Sequence, residues 1–290
     1  MICNACPREC SVDRAVKRGA CRMPENFVVA RAARHDWEEP CISGTKGSGT
    51  VFFSGCSLGC VFCQNHEISS ENFGKKISDD RLMRIFDELT SSGVHNINLV
   101  NPTHYAERLA VVLKEYKPKI PIVYNSGGYE KVETLRKLEG LVDIYLPDLK
   151  YISPERSLKY SRAENYFEYA APAIKEMIRQ TGPAVLDSGG IMKKGTIIRH
   201  LILPKNTNQS IKIIEWLSEN VPNDTYISLM AQYTPIIHSD DYPELNRAIT
   251  EREYEKVLIA LENSGFYNCF VQELKSASEG YVPKFDLSGV

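Results

Sequence analysis

The segment SDDRLMRIFDELTSSGVHNINLVN (78–101) holds two periodicities and the join between them. Ser78 is placed to cap a helix in which Leu82, Ile85, Phe86 and Leu89 recur at helical spacing, and Gly93 is placed to close it. HNINLVN (95–101) then reads as a strand. Working outward, the pair repeats. TVFFSG (50–55) is a strand before it, and HYAERLAVVLKEY (104–116) a helix after it. IPIVYN (120–125), LVDIYLPD (141–148), TIIRHLILP (196–204), TYISLMAQY (225–233) and YNCFVQEL (267–274) read as further strands. Between them lie helical patterns at 128–140, 153–181, 208–220 and 250–265. Alternation with short linkers predicts a parallel sheet with right-handed crossovers. The expected fold is α/β, a partial (β/α)6 TIM-type barrel over residues 50–290, with an open doubly wound sheet as the alternative. Residues 1–49 are expected to form a cysteine-rich, metal-binding N-terminal extension and a lead-in loop.

In parallel barrels chemistry gathers where strands end. The first strand runs into Cys56, Cys60 and Cys63, and the second ends in Asn101, Pro102, Thr103 and His104. The third ends in Asn125 and Ser126, and the fourth in Asp148 and Lys150. The fifth carries Arg199 and His200 within an apolar run, and the sixth ends in Gln232 and Tyr233. Polar groups therefore recur at one rim. Arg199 is costly to bury without an anion, so it expects either a ligand or a structural ion pair with a carboxylate. Lys150 is otherwise a surface residue, Asp148 a helix cap, and Tyr233 rim packing.

The chain of 290 residues carries nine cysteines, eight of them before residue 64. The start shows no secretory pattern and no run long enough to span a membrane, so a cytoplasmic protein with reduced thiols is expected. Clustered thiols then read as metal ligands rather than disulfides. A net charge of −2 gives no reason to expect nucleic acid. Residues 1–34 carry a local net charge of +4, read as a solvated face. GTKGSGT (44–50) fails as a phosphate loop because Thr50 stands where lysine is required, and no H-x3-H pair exists.

Three thiols at C-x3-C-x2-C leave a tetrahedral zinc site one ligand short, whereas a [4Fe–4S] cube on three cysteines leaves one iron open. Buried free thiols or a partial zinc site are the alternatives. Cys3, Cys6, Cys10 and Cys21 form C-x2-C-x3-C-x10-C, a closed set that suits either zinc or an auxiliary iron–sulfur centre. Cys41, in EEPCISG, is a ligand of that set, a thiol near the substrate, or a buried small residue. Cys269 sits on an apolar strand as a core residue.

The Cys56–Cys60–Cys63 motif, with Phe62 before its last cysteine, resembles that of radical S-adenosylmethionine (SAM) enzymes. WEEPCISGTKGSGTVFFSGCSLGCVFCQNHEIS (37–69) and CNACPRECSVDR (3–14) resemble the pyruvate formate-lyase activating enzymes, and more closely their PflX-like branch of iron–sulfur proteins. The resemblance implies a [4Fe–4S] cluster whose open iron binds the amino and carboxylate groups of SAM. One electron then releases a 5′-deoxyadenosyl radical that takes a hydrogen atom from its target. It also implies an electron donor such as flavodoxin or ferredoxin and, for the activases, a glycyl radical enzyme as protein substrate.

By the same resemblance Phe62, Asn101, Thr103, Asn125 and Ser126 fall at cofactor-binding positions, Lys150 reaches the SAM carboxylate beside Asp148, and Arg199 contacts SAM. The family's usual Ser/Thr-Gly-Gly-Glu is Asn101-Pro102-Thr103-His104 here, and its acid–hydroxyl pair is Asn125-Ser126. Gln232, Tyr233, His104 and Cys41 are candidate substrate contacts, with His200 and His238 as single histidines of the same standing. Three functions are carried forward: glycyl radical activation, radical modification of a small molecule or peptide residue, and a non-catalytic iron–sulfur sensor or carrier.

Overall fold

The computed structural model describes residues 2–235, 239–274 and 283–290. A short antiparallel pair, β1 (Ile2–Cys3) and β2 (Val12–Asp13), opens the chain. Then come β3 (Val28–His35), α1 (Pro40–Ser43), β4 (Ser48–Phe53), α2 (His66–Ser69), β5 (Lys75–Lys76) and α3 (Asp79–Ser91). The alternation continues through β6 (Ile97–Val100), α4 (Ala106–Glu115), β7 (Ile122–Ser126), α5 (Val132–Arg136) and β8 (Ile144–Pro147). Two helices, α6 (Pro154–Ser161) and α7 (Tyr166–Thr181), replace the single stretch expected at 153–181, because Arg162 turns left-handed at the end of α6. The chain then forms β9 (Val185–Leu186), β10 (Met192–Leu201), α8 (Thr207–Asn220), β11 (Tyr226–Met230), α9 (Glu251–Glu262) and β12 (Cys269–Val271).

The strands β4, β6, β7, β8, β10, β11 and β12 pair parallel in that order, as the alternation predicts. The result is a mixed α/β, partial TIM-type barrel. It does not close: β5 and β12 are the two edges of the main path among the described residues. One strand was not legible. β3 pairs antiparallel with β4 from Val29 to His35, so the sheet begins before residue 50. Its sequence, VVARAARH, places arginines where a clean alternation would show only apolar residues.

Helix α3 shows why the elements stay where they are. Ser78 accepts the Arg81 N–H as the N-cap, and Leu82, Ile85, Phe86 and Leu89 are buried against Val51, Ile97 and Leu99. Each such side chain contributes about 1.5–3 kcal/mol by burial. Along the strands alternate residues face the barrel interior instead. Val123, Ile144 and Ile197 point inward and meet Cys41 and Ile42 of α1, which plug the bottom of the barrel. Cys41 is therefore a floor residue packed among aliphatics. No helix among the described residues is long and apolar enough to cross a membrane.

Candidate active site

Gly55 ends β4 in a left-handed turn, and Cys56, Cys60 and Cys63 follow in one loop. Asn101, itself left-handed at the end of β6, donates its side-chain amide to the Gly55 carbonyl and so ties the second strand end to this loop. Leu58 N–H points at Cys56 Sγ at 3.4 Å, Ser161 Oγ lies 2.9 Å from Cys60 Sγ, and Ser69 Oγ lies 3.3 Å from Cys63 Sγ. Burial pushes the Cys60 thiol up to about 12, with Cys56 and Cys63 adding to the rise and Lys150 opposing it. Cys63 is raised too, first by burial. The three sulfurs thus lie close enough to influence one another.

All three cysteines line a cavity of about 420 Å³ whose walls include Asn101, Asn125, Asp148, Lys150 and Arg199. Phe62, Ser126 and Gln232 line it as well. Its central feature is an ion-pair chain. Strands β8 and β10 part after Tyr145 and Thr196, and meet again at an isolated bridge between Asp148 and Arg199. The gap includes Pro147, which has no N–H to give. Residues in register across a parallel pair project to the same face, so both side chains enter the barrel. Arg199 Nε donates to Asp148 Oδ1 at 2.9 Å and Nη2 to Asn125 Oδ1 at 2.6 Å. Lys150 Nζ takes the other Asp148 oxygen at 2.6 Å. Burial would raise Asp148, but Arg199 and Lys150 outweigh it and hold the carboxyl below its usual range.

Backbone contacts fix this arrangement. The Tyr166 hydroxyl lies 2.7 Å from the Asp148 carbonyl and accepts the Lys150 N–H at 3.0 Å. Gly128, left-handed, lets the same Asp148 carbonyl approach to within 2.1 Å of where a Cβ would stand.

Other expected residues lie elsewhere. Thr103 is buried with its hydroxyl on Glu130. His104 packs against Tyr105 with the two rings tilted, and its Nε2 pairs with the Ser54 carbonyl at 2.8 Å. Both sit in the 3-10 turn (Thr103–Tyr105) that folds back under the rim, so neither faces the cavity. His200 points outward between the Leu149 carbonyl and Ser210. Tyr233 is buried, donates to the Leu245 carbonyl at 2.6 Å and lies edge-on to Phe62, on the opposite side of the cysteine loop. Cys41 is in the floor, and His238 lies outside the described residues.

The sequence reading missed Glu38, Glu39 and Ser161. Glu38 enters the cavity from beneath and meets Arg199 Nη1 at 3.4 Å. Burial raises it to about 7 despite that arginine. A pair of acids before Pro40 was the available signal, because the chain is otherwise turning inward there.

The N-terminal cysteines also lie near one another: burial pushes Cys6 up to about 12, and Cys21 and Cys3 add to it. Among the described residues no three His, Cys, Asp or Glu side chains are arranged to hold a single metal ion. In the basic segment Lys17, Arg18, Arg22 and Arg34 are exposed, as a solvated face requires, and Arg8 and Arg14 are the exceptions. Arg8, between Cys6 and Cys10, donates to the carbonyls of Ser57 at 2.7 Å and Ser161 at 3.1 Å. Arg14 is buried and donates to the carbonyls of Met23, Pro24 and His104.

Three soft donors on one loop, with no fourth cysteine on the cavity wall, fit a [4Fe–4S] cluster with one open iron. A parallel half-barrel with such a loop after its first parallel strand defines a class of iron–sulfur enzyme. The chain belongs to the radical SAM superfamily, whose family profile matches residues 50–217. The "uncharacterized protein MJ0674" of Methanocaldococcus jannaschii is 32% identical over 275 residues, 92% of this chain and 75% of that protein. Among solved structures, Streptococcus suis SuiB bound to precursor peptide SuiA superposes with a TM-score of 0.51 at 14% identity over 75% of this chain. SuiB bound to S-adenosylmethionine gives 0.51 at 16% identity over the same share. These likenesses show a shared fold, and the chain spans 46% and 47% of the two SuiB chains.

Proposed function

We propose that this protein cleaves SAM reductively and uses the product to take a hydrogen atom from a substrate held in the barrel. The observation that carries it is the convergence of Cys56, Cys60 and Cys63 with Asp148, Lys150 and Arg199 on one cavity. Cys56, Cys60 and Cys63 would hold a [4Fe–4S] cluster, which in its reduced form would supply the single electron that reductive cleavage of SAM requires.

The protein's own part is binding, orientation and shielding. Ser161 and Ser69 direct hydroxyl groups at Cys60 and Cys63, which favours the thiolate form once iron displaces the protons. Lys150, already fixed by Asp148, presents its ammonium to a carboxylate entering the cavity. Arg199 holds Asp148 and Asn125 in place. The cysteine loop and the Phe62 ring cover one side of the cavity and limit water at the site where a radical must survive.

Glycyl radical activation is one form of this chemistry, supported by the resemblance of residues 3–14 and 37–69. Modification of a small molecule or peptide residue is the other, and the charged interior favours it, because a glycine backbone offers no charge to meet. Cys3, Cys6, Cys10 and Cys21 are proposed as ligands of a second centre, zinc or iron–sulfur, and a flavodoxin or ferredoxin as the electron source.

The test is spectroscopic. Anaerobically reconstituted, reduced protein should show a [4Fe–4S]+ electron paramagnetic resonance signal that SAM perturbs. A signal unchanged by saturating SAM contradicts an open iron.

A further inference from the structure

Below the cysteines three acidic side chains, Glu38, Glu39 and Asp148, share one cavity with two cations, Arg199 and Lys150. Asp148 is fully engaged, one oxygen by each cation. Glu38 accepts from Arg199 at 3.4 Å and from the Asn125 amide at 3.3 and 3.4 Å, all long contacts. Glu39 is 8% exposed, and its Oε2 is buried with no hydrogen-bond partner among the described residues. Asn98, fully buried, gives its amide nitrogen to Glu38 Oε1 at 2.9 Å and leaves its own Oδ1 unpartnered.

An unmet buried acceptor is costly, and more so when charged. Of the two orphans Glu39 belongs to the cavity wall, and it is an acceptor, so what is missing there is a donor. A divalent metal does not answer the need, since the Arg199 guanidinium stands alongside Glu38 and would repel it.

We propose that Glu38 and Glu39 form a cation-binding floor that receives an ammonium or guanidinium group of the hydrogen-atom donor, which makes the substrate a basic nitrogen compound. Calling this ligand the hydrogen-atom donor rests on the function proposed above; the floor itself does not. The amino group of SAM belongs, by the family resemblance, at the open iron above. The floor is therefore left to a second molecule. Glu38 and Glu39 come from the segment between β3 and β4, and α1 anchors them through Cys41 and Ile42. The site is thus held by the barrel plug.

The test uses thermal unfolding of the full-length protein, kept anaerobic, in millimolar propylammonium or propylguanidinium, with propanol and propionate as matched controls. The two cations should raise Tm by a few degrees where the neutral and anionic probes do not. Glu39→Gln should weaken the apparent affinity by about tenfold, whereas Glu155→Gln, at an exposed position of the first turn of α6, should not. Equal effects of all four probes, an undiminished response in Glu39→Gln, or loss of the response at saturating SAM each overturn the inference. Should the variant not fold, charge-selective binding to the unaltered protein decides the matter. Cation binding without 5′-deoxyadenosine formation would fail the catalytic reading alone. 5′-Deoxyadenosine formation without cation binding would fail this inference alone.

Discussion

The Ser161 hydroxyl lies 2.9 Å from Cys60 Sγ and 2.7 Å from the Tyr151 hydroxyl, all three groups buried. A hydrogen bond to a cluster sulfur stabilises the more negative, reduced state and raises the reduction potential. Ser161→Ala should therefore lower the potential by about 40 mV, the one-electron equivalent of about 1 kcal/mol. A redox titration followed by electron paramagnetic resonance measures it. An unchanged potential would make Ser161 a packing residue only.

Arg199 serves Asp148, Asn125 and Glu38 from one guanidinium. Removing it as Arg199→Met leaves Glu38 without its cation and Asp148 with Lys150 alone, which should cost about 3–5 kcal/mol. Tm should fall by about 6–15 °C. Arg199→Lys should recover only part of this, because an ammonium cannot present the same fork. A loss below about 1 kcal/mol would mean that the pair is solvated as surface pairs are.

Glu130 predicts a pH dependence. Burial raises it to about 7, opposed by hydrogen bonds from Thr103, Ser126 and Tyr124. Between its unfolded value of 4.5 and about 7 the unfolded chain releases this proton while the fold keeps it, so the Glu130 contribution falls as pH rises. His104 and His200, lowered by burial to about 3 and about 4, pull the other way. The informative quantity is hence the difference between Glu130→Gln and wild type. The variant should gain, relative to wild type, on the order of 3 kcal/mol between pH 4.5 and 7 in urea unfolding. A constant difference would contradict a buried, protonated Glu130.

Arg8 joins the N-terminal cysteine segment to the Ser57 carbonyl inside the cysteine loop and to the Ser161 carbonyl at the end of α6. Arg8→Lys loses the planar fork and leaves carbonyls without donors, at about 1–3 kcal/mol each if water cannot replace it. Iron bound per chain should fall after reconstitution, and proteolysis should cut first near residues 56–63. Unchanged iron loading would mean that the two cysteine sets are independent.

Much of the barrel was legible because periodicity reports burial directly: Leu82, Ile85, Phe86 and Leu89 face inward where the spacing places them. Strand ends also located Asn125, Asp148 and Arg199 on one cavity, since a parallel sheet gathers its termini at one rim. Thr103 and His104 were misplaced for a local reason. The chain after Asn101 winds into a 3-10 turn, and nothing in the residue types announces which way it folds. Glu38 and Glu39 were invisible because their role depends on α1 plugging the barrel, a contact between segments far apart in sequence. Arg8 and Arg14 were read by charge alone, whereas each is fixed by carbonyl groups, which every sequence possesses and none displays.

The most direct measurement is 5′-deoxyadenosine formed from SAM by anaerobically reconstituted, dithionite-reduced protein, beside a variant with Cys56, Cys60 and Cys63 replaced by alanine. Wild type should form it and the variant should not. A wild-type protein with a full, reduced four-iron cluster that forms none with any amine, peptide or glycyl radical enzyme offered, or a variant that forms as much as wild type, would contradict a radical SAM site on these three cysteines.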